Sequence, residues 1–301
     1  MIHKLPWEAL QRIDGQRGGR YYVGPEGQRL DSVTNLLSVI NKPALIPWAA
    51  KVERELVIEA AANLYLDAPT TTKMTRDAFV RTLGQRIGAE KAHQRIAKKA
   101  TDIGGQAHAL IEWNIRKELG QKPGAEPKVD RNAGTAFAAF ASWWKGAGYK
   151  PVRVEQMIFH PGKLYAGTLD LLATDAKDRL GIVDFKTSKA IYPEYLLQVS
   201  AYAEAVNAMG HGPVEWAVIA RFPKGELEPP FNPERDIHEV TLTPELFETF
   251  CNAQVLHQWL ESMNKAAPLA PATENGSSAA GEGHKDAASR HGRRPAAREV
   301  A

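Results

Sequence analysis

The spacing of apolar residues switches between helical and strand-like periods along the chain, and each switch predicts a new element. Near the start, aromatic and polar residues alternate through Arg20-Tyr21-Tyr22-Val23, and a turn follows at Gly24-Pro25-Glu26-Gly27, which predicts a short hairpin. Ser32-Val33-Thr34 leads into apolar Leu36, Leu37, Val39 and Ile40. A helix is expected from about Pro47 to Leu66, with the proline in the first turn, where a missing N–H is tolerated. Phe79, Leu83 and Ile87 recur every four residues, so this stretch should be a helix that buries one stripe and exposes its arginines. The helical pattern continues through Ile96 and Ala100. After Gly104-Gly105 a further run sets Leu110, Ile111 and Ile115 on one side, with His108 and Glu112 one turn apart. A polar loop over 121–131 then precedes a helix striped by Phe137, Phe140 and Trp144, ending near Gly146 and Gly148.

From there the period becomes two. Val152, Val154, Gln156 and Ile158 share one parity, which places Glu155 on the face opposite Val154. Two strands follow in the stretch Gly167 to Lys186, joined as a hairpin by a turn at Thr174-Asp175-Ala176-Lys177-Asp178. Pro193-Glu194 opens a helix that closes at Gly210, Val214 to Ala220 reads as a buried strand, and Ile237 to Leu242 reads as another. Thr243-Pro244-Glu245 supplies an N-cap, a first-turn proline and a first-turn acid for a last helix through Met263.

Composition narrows the chemistry. With 301 residues and 44% hydrophobic content, the chain can bury a substantial core. It has no apolar run approaching the ~20 residues of a membrane span and no apolar signal-like start, so no membrane association and a cytoplasmic location are expected. Cys251 is the single cysteine, which excludes an internal disulfide, a four-cysteine iron-sulfur cluster and a cysteine zinc finger. Any metal must therefore sit on oxygen or histidine ligands. The net charge of +3 is too small to indicate nucleic acid, but its distribution is uneven. Between Lys73 and Lys99 eight basic residues, among them Arg81, Arg86, Arg95 and Lys98, outnumber two acids, Asp77 and Glu90. Such a surface suits phosphate contacts, and equally a plain solvated helix face. From Pro268 onward the chain is rich in Ala, Gly, Ser, Pro and charge, which predicts a disordered tail.

The chemistry-bearing residues concentrate around GTLDLLATDAKDRLGIVDFK. Asp184 and Lys186, two apart on one strand, share a face while Phe185 points into the core. The partner strand can set the Asp170 carboxylate beside Asp184. Two such acids repel unless they share a proton or a cation, and Mg²⁺ or Mn²⁺ suits hard oxygen donors. Lys186 can then orient a water and offset charge on a phosphate. Gln198 and Tyr202, one helical turn apart, sit at the margin of the stripe Leu196, Val199, Ala203 and Val206 and can reach over the sheet. Glu155, on the preceding strand, is a candidate third carboxylate, and His108, after Gly104 on its helix, a candidate nitrogen ligand. His93 and Glu112 are weaker candidates.

Gly104 with His108, Gly167-Thr168-Leu169-Asp170, Asp184-Phe185-Lys186, and Gln198 with Tyr202 together resemble the RecB-like branch of the PD-(D/E)XK nuclease superfamily, over roughly His93 to Tyr202. Ser32-Val33-Thr34 and Lys42-Pro43-Ala44-Leu45 also resemble phage-type exonucleases of that branch. The resemblance implies metal binding by His108, Asp170 and Asp184, with Glu155 as a possible addition, catalysis by Asp170, Asp184 and Lys186, and DNA contact by Gln198 and Tyr202. Lacking the cysteines of the cluster-bearing members, the chain is closer to the cluster-free exonucleases.

The expectation is therefore an α/β protein with a restriction-endonuclease-like core: a central mixed sheet of about four or five strands flanked by helices. Residues 1–148 would form an N-terminal hairpin and DNA-enclosing helical region carrying His108, 149–267 the nuclease core, and 268–301 the tail. The expected activity is Mg²⁺-dependent exonucleolytic hydrolysis of DNA with a free end, in phage or bacterial recombination, repair or replication. A recombination or single-strand-binding protein is a possible partner. Arg81, Arg86, Arg95 and Lys98 would hold the strand by its phosphates. A structure-specific or restriction-like endonuclease, and a non-catalytic DNA-binding protein, are the alternatives.

Overall fold

In the computed structural model, residues 4–14, 20–40, 42–67, 74–225 and 228–266 are described. The expected tail at 268–301 lies outside them. The chain divides into two units, Met1–Glu261 and Ser262–Ala301, and the first holds every feature below except the last residues of the final helix.

The first unit is built on a mixed sheet with helices on both faces. Strands β1 (Gln11–Asp14), β2 (Arg20–Val23) and β3 (Arg29–Ser32) form an antiparallel meander. Next come α1 (Val33–Leu36), a 3₁₀ turn (Leu37–Val39), α2 (Leu45–Asp67), α3 (Arg76–Ile87), α4 (Ala92–Glu118) and α5 (Arg131–Ala147). The long strands β4 (Lys150–His160), β5 (Tyr165–Thr174) and β6 (Leu180–Lys186) precede α6 (Pro193–Ala208). The order closes with β7 (Trp216–Arg221), a short α7 (Pro233–Asp236), β8 (Ile237–Val240) and α8 (Pro244–Ala266). The caps follow their chemistry: Ser32, Thr75, Asp130 and Thr243 each accept a main-chain N–H from the first turn of a helix.

The sheet has eight strands in the described residues, in the order β1-β2-β3-β5-β6-β7-β8 with β4 on the other edge of β5. That exceeds the expected four or five because the N-terminal meander joins it: Asp31 and Ser32 of β3 pair in parallel with Tyr165 and Ala166 of β5. Strands before and after residue 148 therefore share one sheet. One face of the sheet packs Leu169, Leu172, Ile182 and Ile219 against Val199 and Val206 of α6. The other packs Leu171, Val183 and Phe185 against Ile111 and Ile115 of α4 and Phe140 of α5.

α4 runs unbroken through Gly104-Gly105 for 27 residues. Two local expectations are corrected. The stripe of α3 is only half-buried, and no residue of that helix is fully enclosed. Strict alternation in β4 also fails: Val154 packs on the α4 side, whereas Ile158 packs on the α6 side. The register slips between Pro151 and Arg153, and Glu155 takes a left-handed backbone (φ 48), a costly conformation for a residue with a Cβ.

Candidate active site

The irregularity at Glu155 lies opposite Asp170. Val154 pairs with Leu171 and Gln156 with Leu169, so Glu155 and Asp170 face each other between those pairs. β5 changes its facing there too, because Leu169 packs on the α6 side and Leu171 on the α4 side. On its other edge, β5 pairs with β3 only at Tyr165 and Ala166 and with β6 only from Leu171 onward. Residues 167–170 occupy the gap, and Asp170 lies one step beyond the last β5–β6 pair, Leu171 with Val183. Its Oδ2 accepts the Phe185 N–H at 2.7 Å, replacing the ladder bond the splayed strands no longer make.

From α4, His108 brings Nδ1 to 3.5 Å from Asp170 Oδ1. Its ring meets Phe185 edge to face, with centroids 6.3 Å apart. The helix comes this close because of Gly104: a Cβ there would lie 2.8 Å from Thr187 Oγ1. The ligand atoms of His108, Glu155 and Asp170 lie within 4.8 Å of one another, a nitrogen and two carboxylate donors gathered from three separate elements. That donor set fits a hard divalent ion. Asp184, expected among the metal ligands, lies outside this group of three. It is 1% exposed and its carboxylate is paired with Lys186. The oxygen that meets Lys186 Nζ is Oδ2, which is fully enclosed.

Lys186 is held on three sides. Besides Asp184, its Nζ donates to Gln198 Oε1 at 3.1 Å and lies over the Tyr195 ring, 4.7 Å from the centroid. Gln198 Nε2 in turn donates to the Tyr202 hydroxyl at 2.9 Å. Tyr202 is 3% exposed and Gln198 9%. Burial gives Tyr202 no open face for DNA, so its part is to orient Gln198, and through it Lys186. Gln198 keeps an edge on a groove of about 520 Å³ that is also lined by Leu37, Ile40, Leu45, Ile46 and Tyr195.

The electrostatics are those of crowded acids. Burial pushes Glu155 up to about 7, reinforced by the Asp170 charge. It raises Asp184 to about 6, with Lys186 opposing and Asp170 adding to the rise. Burial also works against the charge on Asp170, but His108, Lys186 and the Phe185 N–H outweigh it and hold this carboxyl below its ordinary value. His108 is raised because Asp170 outweighs burial. Lys186 is raised because Asp184 and Asp170 do the same. Asp170 is thus held ionised, while Glu155 is near half-protonated at neutral pH and Asp184 takes up a proton only below it.

Arg81, Arg86, Arg95 and Lys98 are exposed on α3 and the first half of α4, outside the acid cluster. Lys98 precedes His108 by ten residues, about 15 Å along the helix. His93 is engaged elsewhere: its Nδ1 lies 2.7 Å from Glu53 Oε1. Glu112 accepts from Arg116 Nε at 2.7 Å.

Sequence reasoning missed Tyr195, Thr187 and Lys224. The last two, with Ala100, Gly104, His108 and Lys186, line a cleft of about 320 Å³ beside α4. Thr187 follows Lys186 directly, a usable signal; Lys224 belongs to no motif and is brought in by β7.

No protein-family model matches the chain, and no curated protein sequence matches it. Among solved structures it is similar to one described as the crystal structure of SSO0001, at 11% identity over 70% of this chain and 86% of that one, with a TM-score of 0.28. At that similarity nothing about fold or function is carried over. No helix among the described residues is long and apolar enough to cross a membrane.

Proposed function

We propose that the protein is a metal-dependent deoxyribonuclease with a restriction-endonuclease-like core, acting preferentially from a free DNA end. The observation that carries this reading is the convergence, at one gap in the sheet, of Asp170, Asp184, Glu155 and His108 with a lysine oriented by the Gln198–Tyr202 pair. A structural ion pair needs neither a third, half-buried acid nor a left-handed strand residue to present it.

His108, Glu155 and Asp170 would hold Mg²⁺ or Mn²⁺, with Asp184 able to join by turning from Lys186. The ion would supply Lewis acidity toward a phosphate oxygen. Asp170, fixed by the Phe185 N–H, keeps one full negative charge in place. Lys186, restrained by Asp184 and Gln198, presents N–H donors where charge develops on the phosphate. In hydrolysis a water oxygen forms a new P–O bond, one P–O ester bond breaks, and a proton passes to the departing oxygen. One product ends in phosphate and the other in hydroxyl.

End-labelled single-stranded, blunt duplex and covalently closed circular DNA, incubated in parallel with Mg²⁺, test the reading. Degradation of the linear substrates alone is expected. Cleavage of the circle would favour the endonuclease alternative. Activity that persists in both Asp184→Ala and Lys186→Ala would remove the mechanism.

A further inference from the structure

Three basic side chains line the cleft beside α4, and two of them face acids: His108 stands against Asp170 and Lys186 against Asp184. Lys224 does not. Its Nζ donates to the main-chain carbonyl of Ala100 at 2.6 Å and lies 3.4 Å from Thr187 Oγ1. Among the described residues no carboxylate comes within the 4.0 Å of an ion pair. An ammonium carries three N–H donors. Two can meet these neutral acceptors, which leaves one for a ligand in the cleft that Lys224 lines, and the charge of Glu228 acts on the ammonium only from beyond ion-pair distance.

The anchoring is specific. Phe222, two residues before Lys224, donates its N–H to the Lys186 carbonyl at 2.7 Å, which ties the end of β7 to the candidate catalytic strand. Ala100 and Gly104 bring α4 against Thr187, and a Cβ at Gly104 would stand 3.8 Å from Lys224 Nζ. Half-burial lowers the lysine's pKa against the opposing charge of Glu228, and a bound anion would raise it. Gly104, the α4 residue beside Lys224 Nζ, precedes His108 by four residues, about 6 Å along the helix. That offset spans one or two nucleotides at about 3.4 Å each, so Lys224 faces a phosphate beside the one at the acid cluster.

We propose that Lys224, with Thr187, forms a phosphodiester-binding subsite that holds a phosphate next to the scissile one and sets the path of the strand along α4. The proposal rests on the nuclease reading above for the identity of its ligand, a nucleic-acid backbone. Lys224 acts as a binding group, and hydrolysis itself stays with the acid cluster and Lys186.

The test compares wild-type protein, Lys224→Gln and Lys224→Arg. Binding of a fluorescent oligonucleotide is measured with Ca²⁺ in place of Mg²⁺ over a series of salt concentrations, beside KM, kcat and thermal melts. Loss of one phosphate contact should flatten the slope of log affinity against log salt by about 0.7 to 0.9. It should also weaken binding about tenfold. In Lys224→Gln we expect that flattening, a raised KM and a kcat within about twofold, with Lys224→Arg restoring most of the affinity. An unchanged salt slope, with or without a lower melting temperature, overturns the inference and leaves the nuclease reading intact. Lys224-dependent DNA binding without hydrolysis by the wild type would uphold the inference and remove the nuclease reading. Absence of DNA binding by the wild type overturns both.

Discussion

The Cε1 edge of the Tyr202 ring points at the backbone of Gly167, so close that a methyl group there would stand 2.5 Å from Cε1 and 3.3 Å from Cδ1 and Cζ. Tyr202 is enclosed and its hydroxyl is fixed by Gln198, so the ring has nowhere to retreat. Gly167→Ala should therefore cost about 1–3 kcal/mol, the range for overpacking a close-fitted interior. It should also cut activity, because the displacement passes through Gln198 to Lys186. Denaturant unfolding beside hydrolysis assays would check both effects, and wild-type stability in the variant would contradict the packing account.

Metal affinity should separate the two aspartates. Asp170 belongs to the group of three ligands and Asp184 is paired with Lys186. Asp170→Asn should weaken Mn²⁺ binding about tenfold or more, and Asp184→Asn distinctly less, while both abolish hydrolysis. Titration calorimetry decides it, and equal losses would show Asp184 to be a full ligand.

The protonation of the cluster predicts how metal-free stability depends on pH. Glu155 is raised to about 7 and Asp184 to about 6, each above its unfolded value, and His108 is raised as well. A group whose pKa is raised by folding stabilises the native state below its unfolded pKa, and this contribution fades as pH climbs through the folded value. In EDTA the protein should therefore lose stability between about pH 5 and pH 8. Glu155→Gln should remove part of that slope, on the order of 1–3 kcal/mol over the window. Added Mg²⁺ should stabilise more at pH 8 than at pH 5. Unfolding midpoints at four pH values measure it, and a slope unaltered in Glu155→Gln would refute the assignment.

Lys186→Ala strips Asp184 of its counter-charge in a site with 1% exposure. The variant should be inactive and destabilised by up to about 3–5 kcal/mol at pH 8, the cost of an orphaned buried charge. The loss should shrink near pH 5, where Asp184 can take up a proton. Asp184→Asn in the same chain should recover most of the stability and none of the activity. Equal destabilisation at both pH values would argue against a charge effect.

Much of this was legible one element at a time. The hairpin of β5 and β6, the α6 stripe with Gln198 and Tyr202 a turn apart, and the cap at Thr243 follow from local period and local chemistry. Where the reading failed, distant partners had intervened. The alternation expected of β4 breaks because the register slips before Arg153 and Glu155 leaves the pleat opposite Asp170.

The residue types at positions 108, 155, 170, 184 and 186, and their distribution over one helix and three strands, were determined by sequence, because side-chain chemistry and short-range periodicity reside in the chain itself. Tertiary structure alone decided that Glu155 leaves the regular pleat to meet Asp170, that Asp184 turns to Lys186, and that Lys224 arrives beside Thr187. Those outcomes depend on where β3 stops pairing with β5 and β6 begins, and on which helix closes over the gap. Contacts between residues tens of positions apart are set by packing and shared burial, which no local spacing encodes.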